Sequence, residues 1–572
     1  MVAASKLVQA QVDPAAQKPH VVIPAAGLGT RMLPTSARIP KAMIPLREKP
    51  IISWILDELL GQGFTSFTII YGHLGHFLTD YVKRYYSERP GLDISFVEQK
   101  DLDGVASAIA LAEPWVKTPG MLVVLGDTVF QQKLELPTDR SFVMYSPVND
   151  SWRWCLIDTD ATGKVVGYVD KPDTAVDTDK ALVGIYYLHD ARRFFDGVRH
   201  IKADNRRIKN EFQISSALEY YERAFPVYGH LVEKWFDCGS KDTYQASKKS
   251  MLVAPREFNS LDIQGNTVTK RSKHKAKFLD EINWFVTLPK KLRSYIPTVV
   301  DYDLDPDDPF LTLEYVPTPT LSELFLYENL RVEMWRKILS NIIDTYMERF
   351  RTVKAWESDD WQGDYRRHYL EKTFERIDDV KNNTEFCEMF SYGKVVINGQ
   401  SYTPYRDLFK RVAEVMFPRI AREEDLCLIH GDLCFSNILY DVDGQSFKLV
   451  DPRGSFGTMK LGGDMKYDMA KLYHSAVGLY DFITHDLFHL DHRDNEFTLT
   501  IYASEDHYRI GQILKETMTQ RHKLDLDEIE FIMSILFYSM LPLHQDHPQR
   551  MKAFFCIATE ALNRVAGRVL DK

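Results

Sequence analysis

Short apolar segments alternate with amphipathic ones over the first 250 residues of the chain. The helical spacing of Ile51, Ile55 and Leu59 predicts an early helix, and residues 105–116 predict another. Apolar runs predict strands at residues 20–26, 67–72, 94–99 and 121–127. Strands that are apolar throughout are typical of a parallel sheet with helices on both faces. We therefore expect an α/β domain built on a doubly wound, mostly parallel, Rossmann-like sheet.

The pattern changes near residue 250. A helical segment over residues 241–252 is followed by a stretch that alternates and turns like a small antiparallel sheet. We predict a first domain at residues 19–254, a small β-rich lobe with one helix at 255–330, and a largely helical lobe at 331–572. Residues 1–18 have no apolar core and are predicted to form a flexible tail.

Composition and charge argue against a nucleic-acid-binding protein and against a membrane protein. Acidic residues outnumber basic ones by 81 to 71, for a net charge of -10. Such a surface repels nucleic acid and anionic lipid. The six cysteines have no Cys-x-x-Cys spacing, and no run has the length of a signal-peptide core or a membrane span. We expect a cytoplasmic protein that binds neither nucleic acid nor a membrane.

A glycine-containing loop follows the first predicted strand, at residues 25–31 (AAGLGTR). Small residues let backbone N–H groups approach a triphosphate closely, and Arg31 adds a fixed positive charge beside them. Lys41 lies between two prolines, on a stiff segment that would point its ammonium back at the loop. The third glycine of a dinucleotide-binding fingerprint is missing, and so is the Gly-Lys-Ser/Thr of a Walker loop. The backbone groups that we expect at a nucleotide are those of Ala26, Gly27, Gly29 and Thr30.

Asp127 ends a second apolar strand in the same region of sequence. In an open α/β sheet a carboxylate at this position lies at the carboxyl edge, facing the ligand crevice. Oxygen ligands of this kind suit Mg²⁺.

Residues 22–45 (VIPAAGLGTRMLPTSARIPKAMIP) resemble the signature of sugar-1-phosphate nucleotidyltransferases, especially UTP–glucose-1-phosphate uridylyltransferases. The likeness continues at intervals to about residue 245. It implies that Asp127 and Asp237 hold Mg²⁺ while a sugar phosphate attacks a nucleoside triphosphate and pyrophosphate leaves. It further implies that Gln99 and Gly104 read a pyrimidine base, that Lys171 holds the sugar phosphate, and that Gly184 and Glu211 bind the sugar.

Two positions depart from that family's pattern. The base-reading segment has Gly104-Val105-Ala106 where Gly-Thr-Ala is usual, so a threonine hydroxyl is missing. Asp170 precedes Lys171 where a glutamate is usual, which shortens the acid beside the sugar.

A second constellation of polar residues lies in residues 430–451. Phosphoryl transfer from ATP needs a carboxylate that orients or deprotonates the acceptor hydroxyl, and oxygen ligands for Mg²⁺ beside the phosphates. Asp432 in the run HGDLCFSN fits the first role. Asn437 in the same run, and Asp451 after the apolar segment FKLV, fit the second.

This order resembles the aminoglycoside phosphotransferase and choline kinase superfamily, which shares the bilobal α+β protein-kinase fold. Residues 463–470 (GDMKYDMA) are similar to its Gly-Asp-Pro-x-x-Asp-Leu-Ala helix start, where Asp468 would brace the catalytic loop. Lys270 and Glu281 could form the pair that holds the ATP phosphates. Alternatively, both belong to a solvated basic stretch. No glycine-rich phosphate loop precedes Lys270, and the segment after Asp451 carries Arg453 where choline kinases have an acid.

The leading hypothesis is a bifunctional enzyme. Its kinase half would phosphorylate a hydroxyl of a sugar or polyol with ATP, and its other half would couple a sugar phosphate to UTP, CTP or dTTP, making a precursor of a bacterial surface polysaccharide such as a capsule. One alternative is a choline or amino-alcohol kinase joined to a phosphocholine-type cytidylyltransferase. The other is a nucleotidyltransferase with a catalytically silent kinase-like binding module. The helices also leave room for a homodimer.

Overall fold

The computed structural model describes residues 18–33, 36, 39–46, 49–86, 89, 91–174, 176–252, 259–328, 330–354, 356–380, 384–545 and 547–570. The chain forms two compact units, divided between Lys248 and Lys249. The predicted tail, apart from its last residue, and the predicted boundary at residues 254 and 255 lie outside the described residues.

The first unit is built of thirteen strands and six helices within the described residues. Its strands are β1 His20–Pro24, β2 Pro45–Leu46, β3 Lys49–Pro50, β4 Ser66–Tyr71, β5 Asp93–Glu98, β6 Met121–Val124, β7 Thr128–Phe130, β8 Ser141–Pro147, β9 Cys155–Thr159, β10 Val165–Asp170, β11 Lys180–Leu188, β12 Val227–Leu231 and β13 Trp235–Asp237. Its helices are α1 Ile51–Gly61, α2 Gly75–Tyr86, α3 Val105–Ala110, α4 Ala191–Ala203, α5 Ile214–Tyr221 and α6 Lys241–Leu252, whose last four residues lie past the division.

Nine of these strands form one twisted sheet. Strands β6, β1, β4 and β5 are parallel neighbours, so their carboxyl ends share one edge. Strand β11 runs antiparallel to β6 and joins β8, β9, β10 and β12 to the sheet. The predicted α/β architecture with parallel strands is confirmed for residues 20–124, and the remainder of the sheet is mixed.

Apolar strand sequences explain why the centre of this sheet is covered on both faces. Val21, Val22 and Ile23 of β1 are fully buried, as a parallel central strand requires. The predicted helix at residues 105–116 is shorter than expected, because α3 ends at Ala110 and turns follow. Pro114 lies just beyond, and a proline disfavours helical backbone in the residue before it.

The second unit contains fourteen strands and twelve helices within the described residues. Its strands are β14 Asn259–Gln264, β15 Thr267–Ser272, β16 Val299–Asp303, β17 Phe310–Glu314, β18 Val395–Ile397, β19 Gln400–Tyr402, β20 Leu426–Leu428, β21 Ile438–Asp441, β22 Ser446–Leu449, β23 Ser455–Phe456, β24 Met459–Lys460, β25 Gly462–Asp464, β26 Phe488–Arg493 and β27 Glu496–Ile501. Its helices are α7 Lys275–Thr287, α8 Leu321–Tyr327, α9 Val332–Thr345, α10 Trp361–Arg366, α11 Lys372–Val380, α12 Thr384–Ser391, α13 Tyr405–Ile420, α14 Met465–Ala476, α15 Tyr480–Thr484, α16 Glu505–Glu516, α17 Leu526–Met540 and α18 Pro548–Val569.

A small antiparallel sheet in the order β14-β15-β17-β16 begins this unit, with helix α7 against it. Helices α14, α17 and α18 form the core that follows, and every residue of α14 is buried. A second four-stranded sheet, in the order β19-β18-β27-β26, was not expected from the helical pattern after residue 331. Among the described helices, none combines the length and the apolar composition needed to span a bilayer.

Candidate active sites

The glycine loop of the first unit leaves β1 at the shared carboxyl edge and turns sharply. The Ala25 N–H donates to Ile70 O at 2.7 Å, which ties the start of the loop to β4. Gly29 has φ 62°, in the left-handed region that favours glycine, and its carbonyl accepts from the Ser36 hydroxyl at 2.7 Å. The loop then enters a single 3₁₀ turn, Thr30–Met32.

A cavity of about 1130 Å³ opens beside this loop. It is lined by the predicted site residues Ala26, Gly27, Gly29, Thr30, Arg31, Lys41, Gln99, Gly104, Asp127, Lys171 and Glu211. Residues separated by up to 185 positions in sequence therefore line one cavity, because the parallel strands end at one edge of the sheet.

Lys41 and Asp127 form an ion pair at the floor of this cavity. Pro40 precedes the 3₁₀ turn that carries Lys41, so the lysine side chain is directed from a stiff segment. Burial opposes ionisation of Asp127, but the charges of Lys41 and Arg31 outweigh it and hold the pKa of that carboxyl below its usual value. Asp127 is therefore ionised beside two cations at neutral pH.

Asp237 lies next to Asp127, on the short ribbon that β13 forms with β7. The N–H of Cys238 donates to the main-chain oxygen of Asp127 at 3.1 Å. Burial and the neighbouring charge of Asp127 raise the pKa of Asp237. Two carboxylates that repel each other are a donor set that suits a divalent cation, so these residues fit the Mg²⁺ implied by the resemblance. Among the described residues, no cluster of three or more His, Cys, Asp or Glu side chains forms a metal site.

Gln99 and Gly104 lie on a segment that is hydrogen-bonded to Phe212, shortly before α5. The Gln99 amide donates to Gly104 O at 3.3 Å, and the Ala106 N–H donates to Phe212 O at 3.0 Å. Gly104 has φ 128°, and a Cβ added there would lie 2.5 Å from the nitrogen and oxygen of Phe212. Only glycine fits this close approach, so the cavity wall is set by backbone contacts.

Lys171 and Glu211 also line the cavity. Lys171 has φ 48°, and its N–H donates to Trp154 O at 2.8 Å. Glu211 accepts from the Gln213 amide at 2.8 Å. Three further cations that sequence reasoning missed also line the cavity: Arg153, Lys209 and Lys241. Lysine and arginine are common on loops, so no pattern in the sequence distinguishes these three.

Two predicted residues, Asp237 and Gly184, are not among those that line the cavity. Gly184 O accepts from the Leu125 N–H at 2.9 Å, and a Cβ added to Gly184 would lie 2.6 Å from the Thr128 hydroxyl. Gly184 therefore lies behind the segment that carries Asp127.

In the second unit, the loop that carries Asp432 is held by a buried carboxylate. Asp468 at the start of α14 accepts from the N–H groups of His430 and Gly431, at 2.7 and 2.8 Å, and from the Tyr346 hydroxyl at 2.9 Å. The Asn437 amide donates to Asp432 O at 2.9 Å. These bonds fix the turn that presents the Asp432 side chain, which is one-third exposed.

Asp432 itself forms an ion pair with Lys471, at 2.9 Å. Burial opposes its ionisation, but Lys471 and Arg453 outweigh that effect and hold the pKa of Asp432 well below its usual value. An anion this stable is a weak base, so it is better suited to orienting a hydroxyl than to removing its proton early. Lys471 was missed in the sequence, although it follows Asp468 by three positions on one helix.

Lys270 on β15 meets two carboxylates at once. Its ammonium lies 2.7 and 2.9 Å from the two oxygens of Glu281 on α7, and 2.8 Å from Asp451 Oδ1. Burial opposes the charge on Lys270, but Asp451 and Glu281 raise its pKa. Asp451 has φ 55° and follows the end of β22 by two residues. With Asn437, whose main-chain oxygen accepts from the Val450 N–H at 3.0 Å, Asp451 supplies the kind of oxygen ligands that fit Mg²⁺.

A cavity of about 720 Å³ lies in the second unit, lined by Glu281, Asp432, Asp451 and Arg453 among others. Lys270 and Asn437 are adjacent to it and do not line it. Arg453 donates to the Tyr467 hydroxyl at 2.7 Å. Lys372 and Arg376, which sequence reasoning missed, also line this cavity. Their spacing of four residues on a helix is common on any solvated face, so the sequence alone carried no signal.

Comparison with known proteins identifies the class of the first unit. Residues 20–252 match the family model described as nucleotidyl transferase. This part of the chain is a nucleotidyltransferase domain of the sugar-1-phosphate type.

Individual relatives are distant. The chain is 25% identical over 260 residues to the low-salt glycan biosynthesis nucleotidyltransferase Agl11 of Haloferax volcanii, covering 44% of this chain and 68% of that protein. It is 26% identical over 256 residues to UTP–glucose-1-phosphate uridylyltransferase of Staphylococcus epidermidis, covering 38% and 87%. A solved structure of UDP-glucose pyrophosphorylase complexed with UDP-glucose has 25% identity, covers 41% of this chain and 98% of the solved chain, and gives a TM-score of 0.35.

Proposed function

We propose that the first unit couples a sugar 1-phosphate to a pyrimidine nucleoside triphosphate and releases pyrophosphate. The observation that carries this proposal is the Lys41–Asp127 ion pair in a cavity that is lined by the glycine loop and by Lys171 and Glu211. The activity named for one relative, a uridylyltransferase, supports UTP ahead of CTP or dTTP, and the name of the other supports a role in glycan biosynthesis.

The chemistry follows from charge and position. Backbone N–H groups of the loop and the Arg31 guanidinium bind the triphosphate, and Lys41 offsets the negative charge that grows as pyrophosphate leaves. Lys171 holds the sugar phosphate so that its oxygen attacks the α-phosphorus in line. Mg²⁺, held by Asp127 and Asp237, would supply charge neutralisation at the α-phosphate. No protein nucleophile is needed, because the acceptor phosphate itself attacks.

Replacement of one carboxylate tests this proposal. Asp127→Asn removes a metal ligand and the partner of Lys41, and we expect pyrophosphate release to fall by about 100-fold or more. Asp158→Asn removes an exposed aspartate of β9 and serves as the control. Mass spectrometry of the nucleotide product, with four NTPs and a set of sugar phosphates, identifies both substrates. Unchanged pyrophosphate release in Asp127→Asn would contradict the assignment.

For the second unit we propose an ATP-dependent kinase that phosphorylates a hydroxyl of a small molecule. The junction of Lys270 with both Glu281 and Asp451 carries this proposal, because it joins the small sheet, α7 and the loop after β22 around one cation. In such a site Lys270 binds ATP phosphates and Asp432 orients the acceptor hydroxyl. Asn437 and Asp451 would hold Mg²⁺, which supplies charge neutralisation at the β- and γ-phosphates.

Release of ADP in the presence of candidate acceptors tests the kinase. Asp432→Asn keeps the size of the side chain and removes its charge, and we expect ADP release to fall by about 100-fold or more. Pyrophosphate release, measured in the same preparation, reports whether the chain is folded. If Asp432→Asn left every activity unchanged, the unit would be a silent binding module, as the third hypothesis holds.

Together the two activities make a bifunctional enzyme that prepares an activated sugar or polyol for a surface polysaccharide. The product of the kinase is of the class that the transferase consumes, so consecutive steps are chemically consistent. A choline kinase is disfavoured, because Arg453 lies beside Asp432 and repels a quaternary ammonium. Turnover of choline alone, with no sugar or polyol active, would reverse this preference.

A further inference from the structure

One wall of the cavity in the second unit carries an excess of positive charge. Lys372 and Arg376 lie four positions apart on α11 and so share one face of that helix. Arg453, from the loop that follows Asp451, lies near them and lowers the pKa of Lys372 by its charge. We call Lys372, Arg376 and Arg453 the cationic wall. All three line the cavity into which Asp432 also projects.

The cationic wall has no direct carboxylate partner among the described residues, although the charge of Asp432 acts on Arg453. Within the described part of the chain, none of its three members forms an ion pair with a carboxylate. Arg376 donates to Ser539 O at 2.7 Å and Arg453 to the Tyr467 hydroxyl, so both guanidinium groups are oriented by neutral partners. These bonds leave further N–H groups of each fork for another partner.

Three of the carboxylates that line the cavity are bonded to other lysines: Glu281 and Asp451 to Lys270, and Asp432 to Lys471. Glu371 and Glu375 also line the cavity, but both are exposed, and neither forms an ion pair with the wall. Burial, together with Arg453 and Arg376, lowers the pKa of Lys372 to about 6. At such a pKa Lys372 is largely uncharged at neutral pH beside the two arginines, and a bound anion would raise that pKa and restore the charge on Lys372.

We propose that the acceptor of the second unit is an anionic hydroxyl compound, whose carboxylate or phosphate group binds the cationic wall while its hydroxyl faces Asp432. The inference rests on the proposed kinase function. The two guanidinium forks match the planar pair of oxygens of a carboxylate and two oxygens of a phosphate. A cavity of about 720 Å³ holds a compound of monosaccharide size.

The reaction at this acceptor is balanced. The acceptor hydroxyl oxygen forms a bond to the γ-phosphorus of ATP as the bond from that phosphorus to the β–γ bridging oxygen breaks. ADP leaves, and the hydroxyl proton passes to the Asp432 carboxylate. The product carries its original anionic group and a new phosphate ester.

The test compares three sugars that differ in one group. Glucose, glucuronate and glucose 6-phosphate share a ring and carry a neutral, a carboxylate or a phosphate group at carbon 6. Binding to the full chain is measured by calorimetry with Mg²⁺ and a non-hydrolysable ATP analogue, and ADP release is measured with ATP. The variant is Lys372→Gln/Arg376→Gln. Its matched control is Lys410→Gln/Arg411→Gln, which makes the same two substitutions at exposed positions of α13 outside the cavity.

We expect at least one anionic sugar to bind more tightly than glucose, and the cavity variant to weaken that binding by about 10-fold or more while the control does not. Whichever anion binds better identifies the group. The inference is overturned if glucose binds as well as both anions, if none of the three binds, or if the cavity variant weakens only the ATP analogue. If the chain binds an anionic sugar but Asp432→Asn does not change ADP release, the result would contradict the proposed kinase function and support the anion site.

Discussion

Single charged side chains decide the chemistry of both units, and each works through a partner distant in sequence. Lys41 meets Asp127 across 86 positions, and Lys270 meets Asp451 across 181. In the first pair Lys41 keeps the buried Asp127 ionised, and in the second Asp451, with Glu281, keeps the buried Lys270 protonated, so both sites stay charged. The two sites use the same physical device on unrelated frameworks.

A mutation of Lys41 can separate the effect of its positive charge from the effect of its hydrogen bond to Asp127. Lys41→Gln keeps a donor to Asp127 but removes the positive charge, so we expect kcat/KM for pyrophosphate release to fall by about 100-fold. Steady-state kinetics with varied NTP measure it. Lys49→Gln, at a lysine that pairs with Asp57 outside the cavity, is the control and should retain activity. Equal losses in the two variants would argue against a specific role for Lys41.

Contacts between elements set the geometry around these side chains. Gly454 has φ 72°, and a Cβ there would lie 2.2 Å from Asp280 O on α7, next to Glu281. Gly265 has φ 56° with nothing within 4 Å of an added Cβ. Substitution of Gly265 would therefore cause backbone strain alone, whereas substitution of Gly454 would cause both backbone strain and a clash with α7.

Substitution at these two glycines makes an element-level prediction. Gly265→Ala should lower the free energy of unfolding by about 1 kcal/mol through backbone strain alone. Gly454→Ala must also displace α7 and the Lys270–Glu281 pair, so it should raise KM for ATP by about 10-fold in addition. Chemical denaturation and ADP-release kinetics measure the two effects. An unchanged KM in Gly454→Ala would show that α7 adjusts without moving Glu281.

The carboxyl group of Glu222, the residue after helix α5, contacts strand β10. Burial raises the pKa of Glu222 from 4.5 to about 7, and Tyr168 donates to it at 2.7 Å. A carboxyl with a raised pKa in the folded chain takes up a proton on folding in this range. Its contribution to stability is therefore present below pH 4.5 and is lost as the pH rises through 7.

Glu222→Gln removes this titration. Relative to the unmodified chain, the variant should gain about 1 kcal/mol of unfolding free energy between about pH 5 and pH 8, allowing for the partial exposure of Glu222. Urea denaturation of the first unit at several pH values measures the difference. Glu233→Gln, which removes an exposed carboxylate, should show no such dependence. A parallel pH profile for all three proteins would contradict the assigned pKa.

At the scale of the whole molecule, each compact unit has a hydrophobic core of its own. Ile55 in the first unit and Ile532 in the second are both fully buried. Domains with separate cores can lose structure separately. Heat inactivation of the two proposed activities should then respond to different mutations.

Ile55→Ala and Ile532→Ala test this independence. Each should cost about 2–5 kcal/mol through a cavity in its own core. We expect Ile55→Ala to lower the temperature at which pyrophosphate release is lost and Ile532→Ala to lower that for ADP release, with the other activity shifted little. Parallel loss of both activities in either variant would show that the units unfold together.

The sequence by itself determined the alternation of apolar strands and helices in the first unit, because buried parallel strands must be apolar along their whole length. It also determined the glycine loop, since backbone close to a phosphate excludes large side chains. The tertiary structure alone decided which other charges meet: Asp432 with Lys471, Lys270 with Asp451 in addition to Glu281, and Lys372 with Arg453. Charged residues at the surface have no periodicity that forecasts their partners, so only the packing of distant elements could bring these groups together.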